Sequence, residues 1–246
     1  MEASTQSCQG EKTAKKNGVF SVASFATLRL CARCLWSLAV VLTLVTSGGL
    51  VAEGPSDATP RVVFTKDFPH SQPDYYSVTV EENGHAVYRT APDDNSPLEF
   101  QLPLESAREI FSLAGKLNWF HDRTLESNRR VANMGKKTLA YQKGEEQYQA
   151  SFNHTELPEA VALTALFEKI SQTEQHLIRL KYLIRFDRLG IVDELLHTEI
   201  DLDQGRLIAA DQLTPVLEQI QNNRSLVHVA QERAATILGK IKSGKY

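Results

Sequence analysis

The chain reads as an α+β protein: an antiparallel sheet of five or six strands with packed helices, followed by an all-helical C-terminal half. Three observations predict this. Short stretches of alternating apolar and polar residues crowd between residues 61 and 152; an Asn-Gly pair joins two of them; and from Thr155 onward apolar residues recur at three- and four-residue steps almost to the end. Period two marks a strand with one buried face, and a period of three to four marks a helix with one buried stripe.

The first segment, residues 1–52, is expected to be a signal peptide or an N-terminal membrane anchor. Arg29 and Arg33 precede LWSLAVVLTLVTSGGLVA, an uncharged run from Leu35 to Ala52, and the breaker-rich EGPSDATP follows it. A basic flank, an apolar core and a small-residue exit form the layout of a secretory signal, with cleavage expected after Gly49 or Ala52. The same run is long enough to span a bilayer, so an uncleaved anchor over residues 35–52 is the alternative. Either way the rest of the chain is expected to be exported, periplasmic or extracellular. Residues 53–60 then act as a linker.

An α+β domain is expected over 61–170. Its strands are RVVFT from Arg61, YYSVTV from Tyr75, HAVYRT from His85 and LEFQL from Leu98. Between the second and third lies Glu82-Asn83-Gly84, and Asn-Gly between alternating segments signals a hairpin with positive φ at both central turn positions. Tyr76, Val78 and Val80 should face the core. Ala107, Ile110, Phe111, Ala114 and Leu117 then place one apolar stripe on a helix from Leu104 to Phe120, which should lie across the buried face of the sheet. A polar, basic connection from Ser127 to Lys137 leads to a second hairpin, TLAYQ and EQYQASF around Lys143-Gly144-Glu145. Leu139, Tyr141, Tyr148, Ala150 and Phe152 are its inward candidates.

One helix is expected from Leu157 to Ile170. Ser171-Gln172-Thr173-Glu174 matches the capping box, so a new helix is expected to begin there and to open a helical region over 171–246. Further helices are expected over Ile191 to Ile200, over Gln212 to Gln221 with Pro215 in the first turn, and over Ser225 to Ile241.

Composition narrows the function. A formal net charge of −3 lacks the basic footprint of a nucleic-acid binder, so no nucleic acid is expected as a partner. Five of the 27 Lys/Arg but only two of the 30 Asp/Glu lie in residues 1–52, which leaves the body mildly acidic. All three cysteines, Cys8, Cys31 and Cys34, also lie there. The body must therefore hold together by packing, without a disulfide. Cys31-x-x-Cys34 abuts the apolar run and has no accompanying ligands, so no redox or zinc role is assigned to it.

The stretch from Val62 to Ser171 resembles a family of uncharacterised secreted bacterial domains. The matching pieces are YYSVTVEENGHAVY from Tyr75, the EIFSLAGKLNWF helix from Glu109, the TLAYQKGEEQYQ hairpin and the LFEKIS helix end. Many members carry a Cys-x-Gly-x-x-Cys-Pro-like turn ahead of the first Tyr strand, where this chain has HSQPDYY. The resemblance implies the strand, hairpin, helix, hairpin, helix order and secretion, and it implies no activity.

Motifs that carry chemistry are few. The C-terminal Gly239-to-Lys245 stretch has phosphate-loop spacing, but Tyr246 stands where the hydroxyl residue is required. Neither Gly-x-Ser-x-Gly nor Gly-x-Gly-x-x-Gly occurs. Asp193, Glu194, His197 and Asp201, at helical three- and four-residue spacing, form the most metal-like cluster, which a solvated helix face explains equally well. Asp201-x-Asp203-x-Gly205 resembles a calcium loop with its glycine one position early and Gln212 in place of the bidentate Glu. Asp93-Asp94 and Glu145-Glu146 lie in turns, where acids serve the backbone. Trp119-Phe120 ends a helix, a place for core packing more than for a ligand platform. Asn153-His154-Thr155 and Asn223-Arg224-Ser225 match the glycosylation sequon.

No catalytic, cofactor-binding or metal residue is therefore assigned, and no cofactor is expected. The expected function is a non-enzymatic extracytoplasmic binding or interaction module with an unknown protein or peptide partner, touching a membrane only through its N-terminal segment. One alternative is a hydrolase built on Asp193, Glu194 and His197, and another is a helical homo-oligomer or envelope scaffold.

Overall fold

Every strand of the sheet presents alternate residues to one core, and the register shows how. The structure is a computed structural model that describes residues 59–244, and all of these fall in one compact unit. Six strands, β1 (Arg61–Asp67), β2 (Tyr75–Glu81), β3 (His85–Arg89), β4 (Leu98–Gln101), β5 (Lys136–Lys143) and β6 (Glu146–Phe152), form one antiparallel sheet in the order β4-β3-β2-β1-β5-β6. One row of partners runs Tyr148, Tyr141, Val62, Val80, Ala86, Phe100 across all six strands, and the next runs Ala150, Leu139, Phe64, Val78, Tyr88, Leu98. Because the side-chain period is two, both rows lie on one face, which is the buried one.

The two hairpins turn differently from one another. At Glu82-Asn83-Gly84 only Gly84 has positive φ, at 87°. The expected pair of left-handed residues is replaced by a three-residue turn, in which Gly84 N–H donates to Glu81 O at 2.9 Å and His85 N–H donates to Asn83 Oδ1 at 2.7 Å. Asn83 thus contributes a side-chain acceptor where tolerance of left-handed backbone was expected. The β5–β6 turn is a two-residue one with Gly144 at φ 58°, the position that glycine takes in a type II′ turn.

Two helices cover the buried face: α1 (Leu104–Lys116) and the first half of α2 (Pro158–Phe186). Ala107, Ile110, Phe111, Leu113 and Ala114 form the buried stripe of α1. The helix stops before Phe120, because Asn118, Trp119 and Phe120 all take positive φ. This left-handed turn folds Trp119 back onto Tyr141, with ring centroids 4.5 Å apart, and buries Phe120. Phe167 of α2 stacks on Phe64 of the sheet at 5.2 Å.

Beyond the sheet, α3 (Ile191–Asp203) and α4 (Thr214–Gln221) pack on α2, and α5 (His228–Ser243) packs against α3 and α4. Pro215 sits in the first turn of α4, where its missing N–H costs no helical bond. Across the α3–α5 contact, Arg233 donates to Glu199 at 2.6 Å, and Lys240 reaches Glu199 and Asp203 at 2.8 Å.

No helix begins at Ser171. Helix α2 runs unbroken through 29 residues, so the capping box is not used as a cap and the boundary expected after residue 170 falls inside a helix. The physical reason is burial. Ser171, Thr173, Glu174 and His176 are all buried, and they form a polar waist between a sheet-side apolar cluster and a helix-side one. The leading segment, including Leu35 to Ala52 and all three cysteines, and most of the linker lie outside the described residues. Among the described residues no helix is long and apolar enough to cross a membrane.

Candidate functional site

The waist of α2 holds the densest polar network in the described residues. Its centre is His176, buried at 4% exposure, which faces the first and last turns of α3. Nδ1 lies 2.7 Å from Glu194 Oε1, and Nε2 lies 2.9 Å from Asp201 Oδ2. Each carboxylate is also held from the solvent side, Glu194 by Arg179 Nε at 2.8 Å and Asp201 by Arg206. Five groups thus alternate in sign along one chain: Arg179, Glu194, His176, Asp201, Arg206. Gln172 Nε2 adds a bond to Asp201 at 2.8 Å, and Thr198 Oγ1 donates to Glu194 O at 2.8 Å.

Proton placement follows from this geometry. A carboxylate only accepts hydrogen bonds, so with one on each side both ring nitrogens must donate, and His176 is an imidazolium. Burial works against that charge, but the bonds to Glu194 and Asp201 outweigh it and hold the imidazole pKa above its ordinary value. An imidazole so held has no free lone pair. It can neither take a proton from a nucleophile nor bind a metal.

A cleft of about 380 Å³ opens beside this network, with Gln175, His197 and Ile200 on its rim. Of the cluster predicted on α3, Glu194 and Asp201 turn inward to His176. Asp193 and His197 stay outside, 73% and 58% exposed, and pair with each other at 3.9 Å. Helical spacing placed the four on adjoining faces, and the packing of α3 against α2 divided them. Among the described residues, no three His, Cys, Asp or Glu side chains are arranged to hold a metal ion.

The remaining candidates have structural partners. Asp201 and Asp203 of the calcium-like spacing are engaged by His176, Arg206 and Lys240. Asp94 accepts bonds from the Thr90 and Ser96 amides, which hold its carboxyl below the usual range. Glu145 lies in the β5–β6 turn and Glu146 begins β6. Trp119 and Phe120 pack into or against the sheet-side core. Asn153 uses both side-chain atoms, accepting from Met134 N–H and donating to Ala132 O, and Asn223 Oδ1 accepts from Ser225.

Sequence reasoning missed His176 altogether. Its signal was present on the partner helix: Glu194, Thr198 and Asp201 share the three- and four-residue steps of Ile191, Leu195 and Leu202. Polar residues on a buried stripe require a polar partner facing them.

A second feature lies at the far end of α2. Tyr182, Phe186 and, just past the helix, Leu189 lie on the solvent side, away from the buried Leu177, Leu180 and Ile184, while Ile178 one turn earlier packs half-buried against the sheet-side core. Tyr182, Phe186 and Leu189 are 57%, 69% and 82% exposed, and the two rings touch at 4.9 Å. Singly exposed apolar residues are ordinary, whereas the two touching rings form a patch, with Leu189 exposed three residues beyond Phe186.

No known family model matches the chain, and no curated protein resembles it closely enough in sequence to count as a relative.

Proposed function

We propose that the protein is a non-enzymatic extracytoplasmic interaction module whose contact surface is the exposed end of α2. The observation that carries this reading is the ridge of Tyr182, Phe186 and Leu189. Water-exposed apolar surface of this kind is costly to maintain unless something covers it. The geometry at His176 supports the same view from the other side. The buried His176 beside the cleft has both nitrogens committed, so of the residues suspected of hydrolysis Glu194 serves a cross-brace between α2 and α3, while Asp193 and His197 lie outside it. The apolar run at Leu35–Ala52 supports the extracytoplasmic address.

Site-specific photo-cross-linking tests this in cells that make the protein. A photoreactive side chain in place of Phe186 should yield a discrete adduct, and one in place of exposed Gln147 on β6 should not. Equal labelling from both positions, or none from position 186, would remove the contact surface. Recovery of the full-length chain in the cytosolic fraction would remove the address.

A further inference from the structure

We infer that the end of α2 docks an acidic segment of a partner protein, which inserts an apolar side chain into the groove beside Tyr182. This rests on the interaction-module reading and gives the partner its chemistry. The groove, of about 550 Å³, lies between α2 and the Gln72-Pro73 turn and is walled by Pro73, Tyr88, Ile178, Tyr182 and Leu183. Its lining is polar at Thr90 and Gln175 and charged at Asp187 and at Arg179, which Glu194 pairs. An apolar anchor entering a concave site ringed by polar groups is how peptide-binding surfaces obtain most of their affinity.

The charge along the ridge, on the side of Tyr182 away from the groove, sets the sign of the partner. At helical spacing Lys181 and Arg185 stand on one flank of the ridge and Arg179 on the other, and Arg188 follows just past the helix end. Lys181 and Arg185 line a second depression with Tyr182 and Phe186. Among the described residues, Lys181, Arg185 and Arg188 make no ion pair, whereas Arg206, Arg233 and Lys242 of the same helical half each have one and Lys240 has two. The one acid in this stretch, Asp187, lines the groove and accepts the Gly190 amide, and the cations of the ridge outnumber it. Three unmatched cations beside an apolar strip complement carboxylates that flank an apolar anchor, an arrangement that steers encounter as well as holding the complex.

Two other occupants fit less well. A stable pair of copies would bury roughly 800 Å² on each partner, far more than three side chains at one helix end supply. A bilayer surface would suit the ridge and the cations, but it has no side chain to enter the groove.

Fluorescence anisotropy with the full chain decides among them. The probe is a labelled short peptide with Glu residues on both sides of a central Leu-Trp, and the counter-probe carries Lys in place of Glu. Phosphatidylglycerol and phosphatidylcholine vesicles form the third arm. The acidic peptide is expected to bind, to weaken as salt rises, and to lose about tenfold or more in affinity with Tyr182→Ser or with Lys181→Glu/Arg185→Glu. The charge-reversed variant should gain affinity for the Lys peptide. Because all these residues are exposed, the thermal melts should stay unchanged. Equal binding of both peptides, binding to phosphatidylglycerol vesicles without peptide binding, or no binding of the acidic peptide each overturns the inference. An adduct from position 186 alongside any of these results would leave the interaction module standing with a partner of other chemistry.

Discussion

His176 donates to Glu194 across 2.7 Å, although the two residues lie 18 positions apart on different helices. With Asp201 on the opposite ring nitrogen, this bond ties the middle of α2 to both ends of α3. It replaces apolar contact at the waist between the two clusters. Buried charge chains of this kind add little net stability over a well-packed apolar isostere, yet they are costly to break from one side.

His176→Ala is therefore expected to destabilise the fold by about 3–5 kcal/mol, since Glu194 and Asp201 would remain buried without the cation between them. Arg179→Ala should cost less, about 1 kcal/mol or under, because the guanidinium is 63% exposed and screened by water. Urea denaturation of the two variants checks the order, and equal losses would show that the arginines, not the imidazole, hold the carboxylates.

Glu174 predicts a pH dependence of its own. Both its carboxyl oxygens are buried without a hydrogen-bond partner, and burial pushes its pKa up to about 7 against the smaller opposing pull of Gln212 and Lys181. A carboxyl with a raised folded pKa takes up its proton more readily in the folded state. Stability should thus fall as pH rises from the ordinary glutamate value near 4.5 to about 7, by about 3 kcal/mol in all, and then level off. Glu174→Gln should remove that fall and stabilise the protein at neutral pH. An unchanged profile in the variant would place the carboxylate in contact with water.

His176 acts at higher pH. Its folded pKa lies above its unfolded value, so its contribution is complete below about 6.5 and is lost as pH climbs through the folded value. In the Glu174→Gln background this should be the remaining decline near and above neutrality. It should disappear in the double variant that also carries His176→Gln, and melting temperature across a pH series reads it directly.

Gly84→Ala should cost about 2 kcal/mol or more. The residue sits at φ 87°, and an added Cβ would lie 2.6 Å from Gln101 Nε2 and 2.9 Å from the Leu102 carbonyl oxygen. The Gln101 side chain can move; the carbonyl belongs to the backbone, where Leu102 N–H is bonded to Gly84 O at 2.8 Å.

Phe64 and Phe186 separate core from surface. Phe64→Ala empties a fully buried position stacked on Phe167 and should cost about 3–5 kcal/mol. Phe186→Ala, on the exposed ridge, should stay within about 0.5 kcal/mol of the parent. A large loss at Phe186 would mean that the ridge is covered by the protein itself.

The α+β class, the inward residues of both hairpins and the run of C-terminal helices could be read from the residues, because a period of two or of three to four is a local property. Tyr76, Val78 and Val80 had to share a face once they formed a strand, whatever packed against them. The turn at Asn83-Gly84 was legible as a hairpin but not as a three-residue one, since that choice depends on how β2 and β3 register. Ser171 to Glu174 misled for a related reason: the same residues that cap an exposed helix end also suit a buried polar layer. Only the presence of apolar clusters on both sides selects between the two.

What the residues by themselves determined is thus the kind and order of the elements, and which side of each seeks a core. What the tertiary structure decided is which side chains meet. His176 gained Glu194 and Asp201, Asp193 and His197 were left to water, and Tyr182, Phe186 and Leu189 were turned away from both clusters. Periodicity acts within a few residues along the chain. Pairing charges across 18 or 25 positions requires the crossing of α2 and α3, which packing alone sets.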